Sequence, residues 1–573
     1  MHLVDLSLIL LYLVGLLTIG VYFSRRAARS AEDYFLAGRK TPWWVLGTSG
    51  MTSNLDVAGT MTIVTMIYLF GIHGFFIEMR GGVVLPIAVF LAFMGKWHRR
   101  SGVMTTAEWM ALRFGKGRDA SFARILAAFT YLIIAVFMVI FFLTAAAQFL
   151  SVFLPLTPVQ AAAAMALAGL VYTLLSGLYG VLWTDFFQSL FIGIAALYVG
   201  FLGWTLLDPE LIARWPGSVF NSALPRMIDP GLQEYSLFWF FLLAFAGKGI
   251  LEGLGGSGGS AYMAQRFYAA RSDADCQKIG MLWIVLFAFR WPMAVGFAIL
   301  AVHLGLEQVA EHTDQMLPLI LQSEFFPVGV QGLVVVALFA ASMSTFDSTV
   351  NAGASYVVRD LYQPLRKKLS SREAVWVGYG ASALIVFFGL GISLLLTESV
   401  LGVWVLIVVQ LFPAFLVPFA LRWFWGRFNA SGFNLSILAG FCTSAFMVWH
   451  PWGQGFDAAT TIFSVTLVSL FGAILGTSLG PATPVEVQRT FFDRVRPFGL
   501  WPRTWKAGSR AEHRRDLIRL PVALLWQTCT FLGLILLVLG NYLEALITAA
   551  LWAALFAWLF RDLKHPSPSE PSG

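Results

Sequence analysis

Apolar residues in this chain gather into blocks of about 20, the length a helix needs to cross the hydrocarbon of a bilayer, and the blocks recur from Leu6 to Phe560. The period-2 alternation of a membrane barrel is absent, so the pattern predicts an all-α membrane protein. A soluble alternative fails on surface chemistry. Only 12% of the residues are charged and 58% are hydrophobic, against about 25% charged in ordinary soluble chains. Three scattered cysteines (Cys276, Cys442 and Cys529) make neither a disulfide framework nor a metal site.

Hydropathy divides the chain into about 15 expected transmembrane helices. They are Leu6–Phe23, Trp43–Phe70, Val83–Gly95, Ile125–Leu150, Ala161–Leu178, Val181–Leu206, Leu237–Gly255 and Gly280–Leu304. The series continues with Val328–Val357, Val375–Leu395, Leu401–Trp423, Phe433–Val448, Thr460–Gly480, Val522–Leu539 and Leu543–Phe560. With the N-terminus outside, 33 of the 38 Lys and Arg residues fall on the inner side and only Arg214 and Arg226 outside. Arg80, Lys248 and Arg290 lie within or beside spans. One missed helix would invert every loop after it, so this sorting supports the span count and a multi-pass protein of the plasma (inner) membrane with a cytoplasmic C-terminus. It also accounts for the net charge of +7 without nucleic acid. No positive residue precedes the first span and Arg25-Arg26 follows it, the reverse of a cleavable signal, so it is expected to persist as a helix. The connection from Thr483 to Leu520 mixes aromatics with Arg and is expected on the membrane surface. The tail, residues 562–573, is polar and expected to be disordered.

Two spans are unlike the rest. The second contains Gly47-Thr-Ser-Gly-Met-Thr-Ser-Asn-Leu-Asp-Val-Ala-Gly59, and the seventh Gly247-Lys-Gly-Ile-Leu-Glu-Gly-Leu-Gly-Gly-Ser-Gly-Gly-Ser260. Each Gly costs about 1 kcal/mol of helix propensity relative to Ala, and unpaired backbone in a bilayer survives only around an enclosed cavity. Grouping spans two to six and seven to eleven puts the two breaks at equivalent places in repeats of opposite orientation, the sequence pointer to a transporter's midplane site. The plain alternative is that the glycines only permit close helix packing. Charges cluster at the breaks: Asn54 and Asp56 in one, Lys248 and Glu252 in the other. Lys248 and Glu252 stand i,i+4 and can pair with each other, whereas Asp56 has no local partner and is the stronger functional candidate. In the ninth span the hydroxyls of Ser344, Thr345 and Ser348 are hard ligands for a small cation, although helix Ser and Thr commonly bond back to the i−4 carbonyl.

Several pieces stand in a family order: Asp33-Tyr-Phe-Leu-Ala-Gly-Arg39, Trp43-Trp-Val-Leu-Gly47, Ser53-Asn54, Gly177-Leu-Tyr-Gly-Val-Leu-Trp-Thr-Asp-Phe-Phe-Gln188, Gln265-Arg266 and Ser344-Thr345. Together they resemble the sodium:solute symporter family, which includes bacterial sodium/galactose, sodium/proline and sodium/sialic acid carriers. The resemblance implies a LeuT-like bundle of two inverted five-helix repeats with extra helices at both ends. On that reading residues 1–41 form an N-terminal helix and loop, 42–260 the first repeat and the start of the second, 261–430 the remainder of the second, and 431–561 additional helices. It implies sodium as the coupling ion, with no other cofactor. The ion would be held by the carbonyls of Thr52, Leu55 and Ala341 and the hydroxyls of Ser344 and Thr345. Asp185, with Ser348, matches a place where some members hold a second sodium. Asn54 and Glu78 fall where the galactose carrier touches its sugar.

The rest departs from the sugar pattern. Glycines and Glu252 replace the polar and aromatic residues of the seventh span, Arg290 lies near a sugar-binding lysine position, and Asp56 replaces a small hydroxyl residue. The implied function is sodium-coupled import of a small polar solute (sugar, amino acid or carboxylate) by alternating access, the protein working as a monomer. Asn54, Asp56, Glu78, Lys248, Glu252 and Arg290 are the candidate solute residues. The rivals are an intramembrane serine hydrolase and a uniporter or sensor on the same helices. Gly255-Gly-Ser-Gly-Gly259 matches G-x-S-x-G, but that motif needs a histidine base at membrane depth, and the eight histidines fall at span ends, in loops or at termini.

Overall fold

A computed structural model describes residues 2–27, 31–70, 84–215, 238–256, 261–306, 315–366, 368–396, 399–450 and 452–564. In hydrocarbon a helix satisfies its own N–H and C=O groups. Among the described residues, regular structure is accordingly helical apart from one isolated bridge between Trp425 and Leu500. Eleven helices among the described residues are long and apolar enough to cross a membrane, or up to twelve if the pair Val400–Leu411 and Pro413–Phe424, bent by 46°, is one span. The three further spans expected from hydropathy are the second, third and seventh. The second is two short helices, and the other two border residues 71–83, 216–237 and 257–260, outside the described residues.

Numbered in chain order, the helices that build the site and its surroundings are α1 (Leu3–Ala27), α2 (Trp43–Thr52), α3 (Val57–Phe70), α4 (Gly95–Ser101), α5 (Arg118–Phe153) and α6 (Pro158–Leu206). They continue with α7 (Phe238–Gly255), α8 (Ala261–Tyr268), α9 (Asp273–Phe287), α10 (Arg290–His303), α11 (Val330–Tyr356) and α12 (Ser371–Leu395). The last are α13 (Pro413–Phe424), α14 (Ala430–Trp449), α15 (Ala458–Leu479), α16 (Val485–Val495), α17 (Arg510–Val538) and α18 (Tyr542–Lys564).

Burial separates axis from periphery. The most apolar stretch of the helix running through α11 is 94% buried, whereas that of α18 is 6% buried and that of α1 11%. The ninth span is therefore the axis of the bundle, and α5, α6, α12 and α1 pack around it. Asp5 of α1 caps its start, accepting from the amides of Gly329 and Gly332 at 2.7 and 2.9 Å; a carboxylate there also complements the positive end of the helix dipole. The expected fifth and sixth spans, together α6, are two helices that meet at a kink at Gly177, whose φ of 51° and ψ of −169° only glycine adopts without strain.

The connection expected on the membrane surface packs its aromatic side chains against the bundle. Phe491, Phe492, Val495 and Trp501 are buried, and Trp109 meets the Phe491 ring at 5.0 Å. Charge holds it from the other side: Lys96 reaches Glu512 at 2.7 Å and Asp516 at 2.8 Å, and Arg100 reaches Asp273 and Glu512 at 2.7 Å each. Buried pairs like these are retained only when their hydrogen bonds are satisfied on both sides.

Candidate functional site

The second span uncoils where its sequence predicts. α2 ends at Thr52, and the amides of Ser53, Asn54 and Leu55 turn back to the carbonyls of Ser49, Met51 and Thr52 at 2.9, 3.0 and 3.2 Å. α3 restarts at Val57, whose amide is taken by the Ser342 hydroxyl of the ninth span at 2.9 Å. Among the described residues no donor reaches the Leu55 carbonyl, which leaves a buried oxygen with open lone pairs beside the ninth span. Asp56 accepts from the Gly59 amide at 2.6 Å, the N-cap geometry for α3. The Arg290 guanidinium faces it and also donates to the Asn54 carbonyl at 3.2 Å. The expectation that Asp56 lacks a local partner is corrected by the Gly59 amide; its counter-charge comes from α10.

Asp56→Asn and Asp56→Ala both remove the charge facing Arg290, but only Ala also removes the cap. The Ala protein is expected to be about 1 kcal/mol less stable than the Asn protein, read as a lower thermal midpoint. Equal midpoints would reject the capping role.

On the ninth span, Ser344 stands 3.1 Å and Ser348 3.0 Å from the Ser53 hydroxyl. Thr345 donates back to the Ala341 carbonyl at 3.0 Å, the ordinary habit of a helix Thr. Asp185 of α6 accepts from Ser49, Ser53 and Ser344. Into this hydroxyl cluster α8 inserts Arg266, with Nη2 2.6 Å from Ser53 and Ser348, 3.0 Å from Ser49, and 3.6 Å from Asp185. Both charged side chains are buried. A guanidinium therefore stands between Asp185 and Ser348, the two residues that the resemblance gives to a second sodium.

The seventh span ends at Gly255, and Gly256 turns the chain with φ +73°. Any Cβ at Gly256 would also run into the ring of His98. The buried C-terminal carbonyl of Gly255 accepts from Arg422 and from the Trp423 indole at 3.1 and 3.2 Å, so a cation meets the negative helix end. One turn earlier Lys248 and Glu252 pair at 3.1 Å, both side chains fully buried, and the Lys248 ammonium lies 4.8 Å from the centre of the Phe412 ring. The i,i+4 pairing open to these two residues is the arrangement found.

A family model for the sodium:solute symporter family matches residues 34–208 and 219–440. The chain belongs to the sodium:solute symporter family. It is 24% identical to a sodium/glucose cotransporter of Vibrio parahaemolyticus over 550 residues, 87% of this chain and 95% of that protein. It is 26% identical to the sodium/sialic acid symporter NanT of Aliivibrio fischeri over 404 residues, 68% of this chain and 75% of that one. The solved structure of a substrate-bound, outward-open Na+-coupled sialic acid symporter superposes with a TM-score of 0.67 at 19% identity, covering 84% of this chain and 99% of that one, which establishes the fold. The chain is a multi-pass membrane symporter with sodium as coupling ion. Its relatives are transporters and not enzymes.

The symporter's structure gathers the ion residues named from sequence around one break: Thr52 and Leu55 at the end of α2, and Ala341, Ser344, Thr345 and Ser348 along α11. Asp185 closes the cluster from α6. Asn54 lies there too, but its side chain is engaged, donating to the Gly50 carbonyl at 2.7 Å and accepting from Tyr262 at 2.9 Å. Lys248 and Glu252 are joined to each other on a different helix. Glu78 and Ser257 lie outside the described residues. Sequence reasoning assigned no role to Ser49, Tyr262, Arg266 or Asp347. Asp347 is buried on the ninth span and accepts from Thr173 at 2.7 Å; an acid inside a span was signal enough to single it out. Arg266 was visible within a motif, but nothing local pointed it at Asp185, 81 positions away.

Proposed function

We propose that the sodium site is the junction of the broken second span with the ninth, with the carbonyls of Thr52, Leu55 and Ala341 and the hydroxyls of Ser344 and Thr345 as ligands. The observation that carries this is the approach of Ser53 to Ser344 at 3.1 Å beside the uncoiled backbone. It brings a hydroxyl of the uncoiled segment and one of the ninth span together at a buried point, which supports this reading. An ion bound there draws Thr345 off its own helix and ties the hinge at residues 53–56 to the axis of the bundle. Arg266 serves as the counter-charge of Asp185, so this reading has one sodium per cycle. The solute sits on the other side of the same break, among Asn54, Asp56 and Arg290, with Glu78, Lys248 and Glu252 as further candidates. This lining suits a charged, zwitterionic or polyhydroxylated molecule.

The wider frame belongs to the same reading. Spans two to six and seven to eleven form two inverted repeats within about 15 helices, the N-terminus is outside, and the protein acts as a monomer in the plasma membrane. The decisive experiment is uptake into proteoliposomes of sugars, amino acids and carboxylates under an inward sodium gradient, paired with a thermal-shift screen of the same panel. A solute accumulated only with sodium, at one ion per molecule by reversal potential, is the expected result. A ratio of two would return Asp185 and Ser348 to the ion path.

A further inference from the structure

Beside the docked segment, a cavity of about 750 Å³ is lined by Phe498, Arg503, Lys506, Arg510, His513 and Arg514, with Leu517 and Ile518 at its rim. Its lining holds no carboxylate. The acids of the neighbouring helix are committed elsewhere. Glu512 and Asp516 point to the reverse face of α17, where they hold Lys96 and Arg100, and Asp562 takes Arg515 and Arg519. Lys506 donates to the Gly499 carbonyl at 3.1 Å, leaving the rest of its ammonium to the cavity. Arg503, Arg510 and Arg514 are exposed, and among the described residues none of the three has an ion pair.

Like charges crowded around a hollow repel one another, so the arrangement favours an anion within it. The exposed stripe of α17 indicates which anion. Arg510 and Arg514 are followed on that stripe by Leu517 at 52% exposure, Ile518 at 44% and Leu525 at 53%. The stripe thus changes from cationic to apolar within one turn of Arg514. A membrane boundary at that turn puts the arginines at headgroup depth and the leucines beside acyl chains.

We infer that this cavity binds the phosphate headgroup of an anionic phospholipid, with Arg503, Arg510 and Arg514 as its ligands and Leu517 and Ile518 against its acyl chains. The reverse face of the same helix clamps the end of the third span through Lys96 and Arg100, so a bound lipid steadies that clamp.

The test uses the full-length protein in neutral detergent, following its thermal midpoint as phosphatidylglycerol, phosphatidylcholine or inorganic phosphate is added. Phosphatidylglycerol is expected to raise the midpoint at the lowest concentration. In R503Q/R510Q/R514Q the half-maximal concentration should rise about a hundredfold, at about tenfold or less per lost charge near a membrane surface. The charge-retaining R503K/R510K/R514K protein, a control for folding, should stay close to wild type. Equal protection by phosphatidylcholine, no protection by any lipid, or an unchanged response of the Gln variant would overturn the inference. Equal protection by inorganic phosphate would show a soluble anion to be the ligand and overturn the lipid assignment.

Discussion

Arg266→Met is expected to destabilise the folded protein by about 3–5 kcal/mol, the usual cost of leaving one member of a buried ion pair bare. The bare group would be Asp185, fully buried and 3.6 Å from the guanidinium. Three hydroxyls, on Ser49, Ser53 and Ser348, would lose a charged donor at the same time. Adding Asp185→Asn removes the uncompensated charge, so the double variant should recover much of the thermal midpoint lost by the single one. The comparison needs only purified protein and a melting curve. If Arg266→Met melts like wild type and the double variant gains nothing, Arg266 is not the counter-charge of Asp185.

The second large effect concerns sodium. Each hydroxyl lost from a charged partner costs about 1.5–3 kcal/mol. Ser344→Ala with Thr345→Ala should therefore raise the sodium concentration for half-maximal uptake by about a hundredfold or more. Serine at 345 restores an oxygen and should recover most of that loss at its own position. Thr345 bonds back to Ala341, so the stability of the helix itself should change little. Sodium dependence equal to wild type in well-inserted double-alanine protein would move the ion elsewhere.

The two predictions rest on different parts of one cluster, and they separate its ion-binding and charge-balancing roles. Loss of stability without loss of sodium affinity belongs to the pair on Asp185. Loss of sodium affinity without loss of stability belongs to Thr345, whose hydroxyl bonds within its own helix; Ser344 also serves Asp185. The third span's clamp is remote from both, because Lys96 and Arg100 meet α9 and α17.

Much of this was legible in the chain. Hydropathy and charge sorting are properties of a single segment against its solvent, so the spans, the breaks near Asn54 and Gly256, and the Lys248–Glu252 pair could be read locally. What the bilayer demands of a segment does not depend on which neighbour it meets. The choice of partner is another matter. Asp56 was read as unpartnered because Arg290 lies on α10 and the Gly59 amide becomes a partner only once α3 restarts at Val57. That Asp185 faces Arg266 could not be read locally, because only folding brings the two together. Residues 483–520 read as basic and aromatic, but the meeting of Phe491 and Trp501 with Trp109 and Arg113 in the bundle is not legible locally. By itself the sequence determined that the chain is a helical membrane protein, where two of its spans break and that the carrier is sodium-coupled. Tertiary structure alone decided which buried charge answers which, because the cost of burying a charge is fixed locally while the group that offsets it can come from anywhere in the chain.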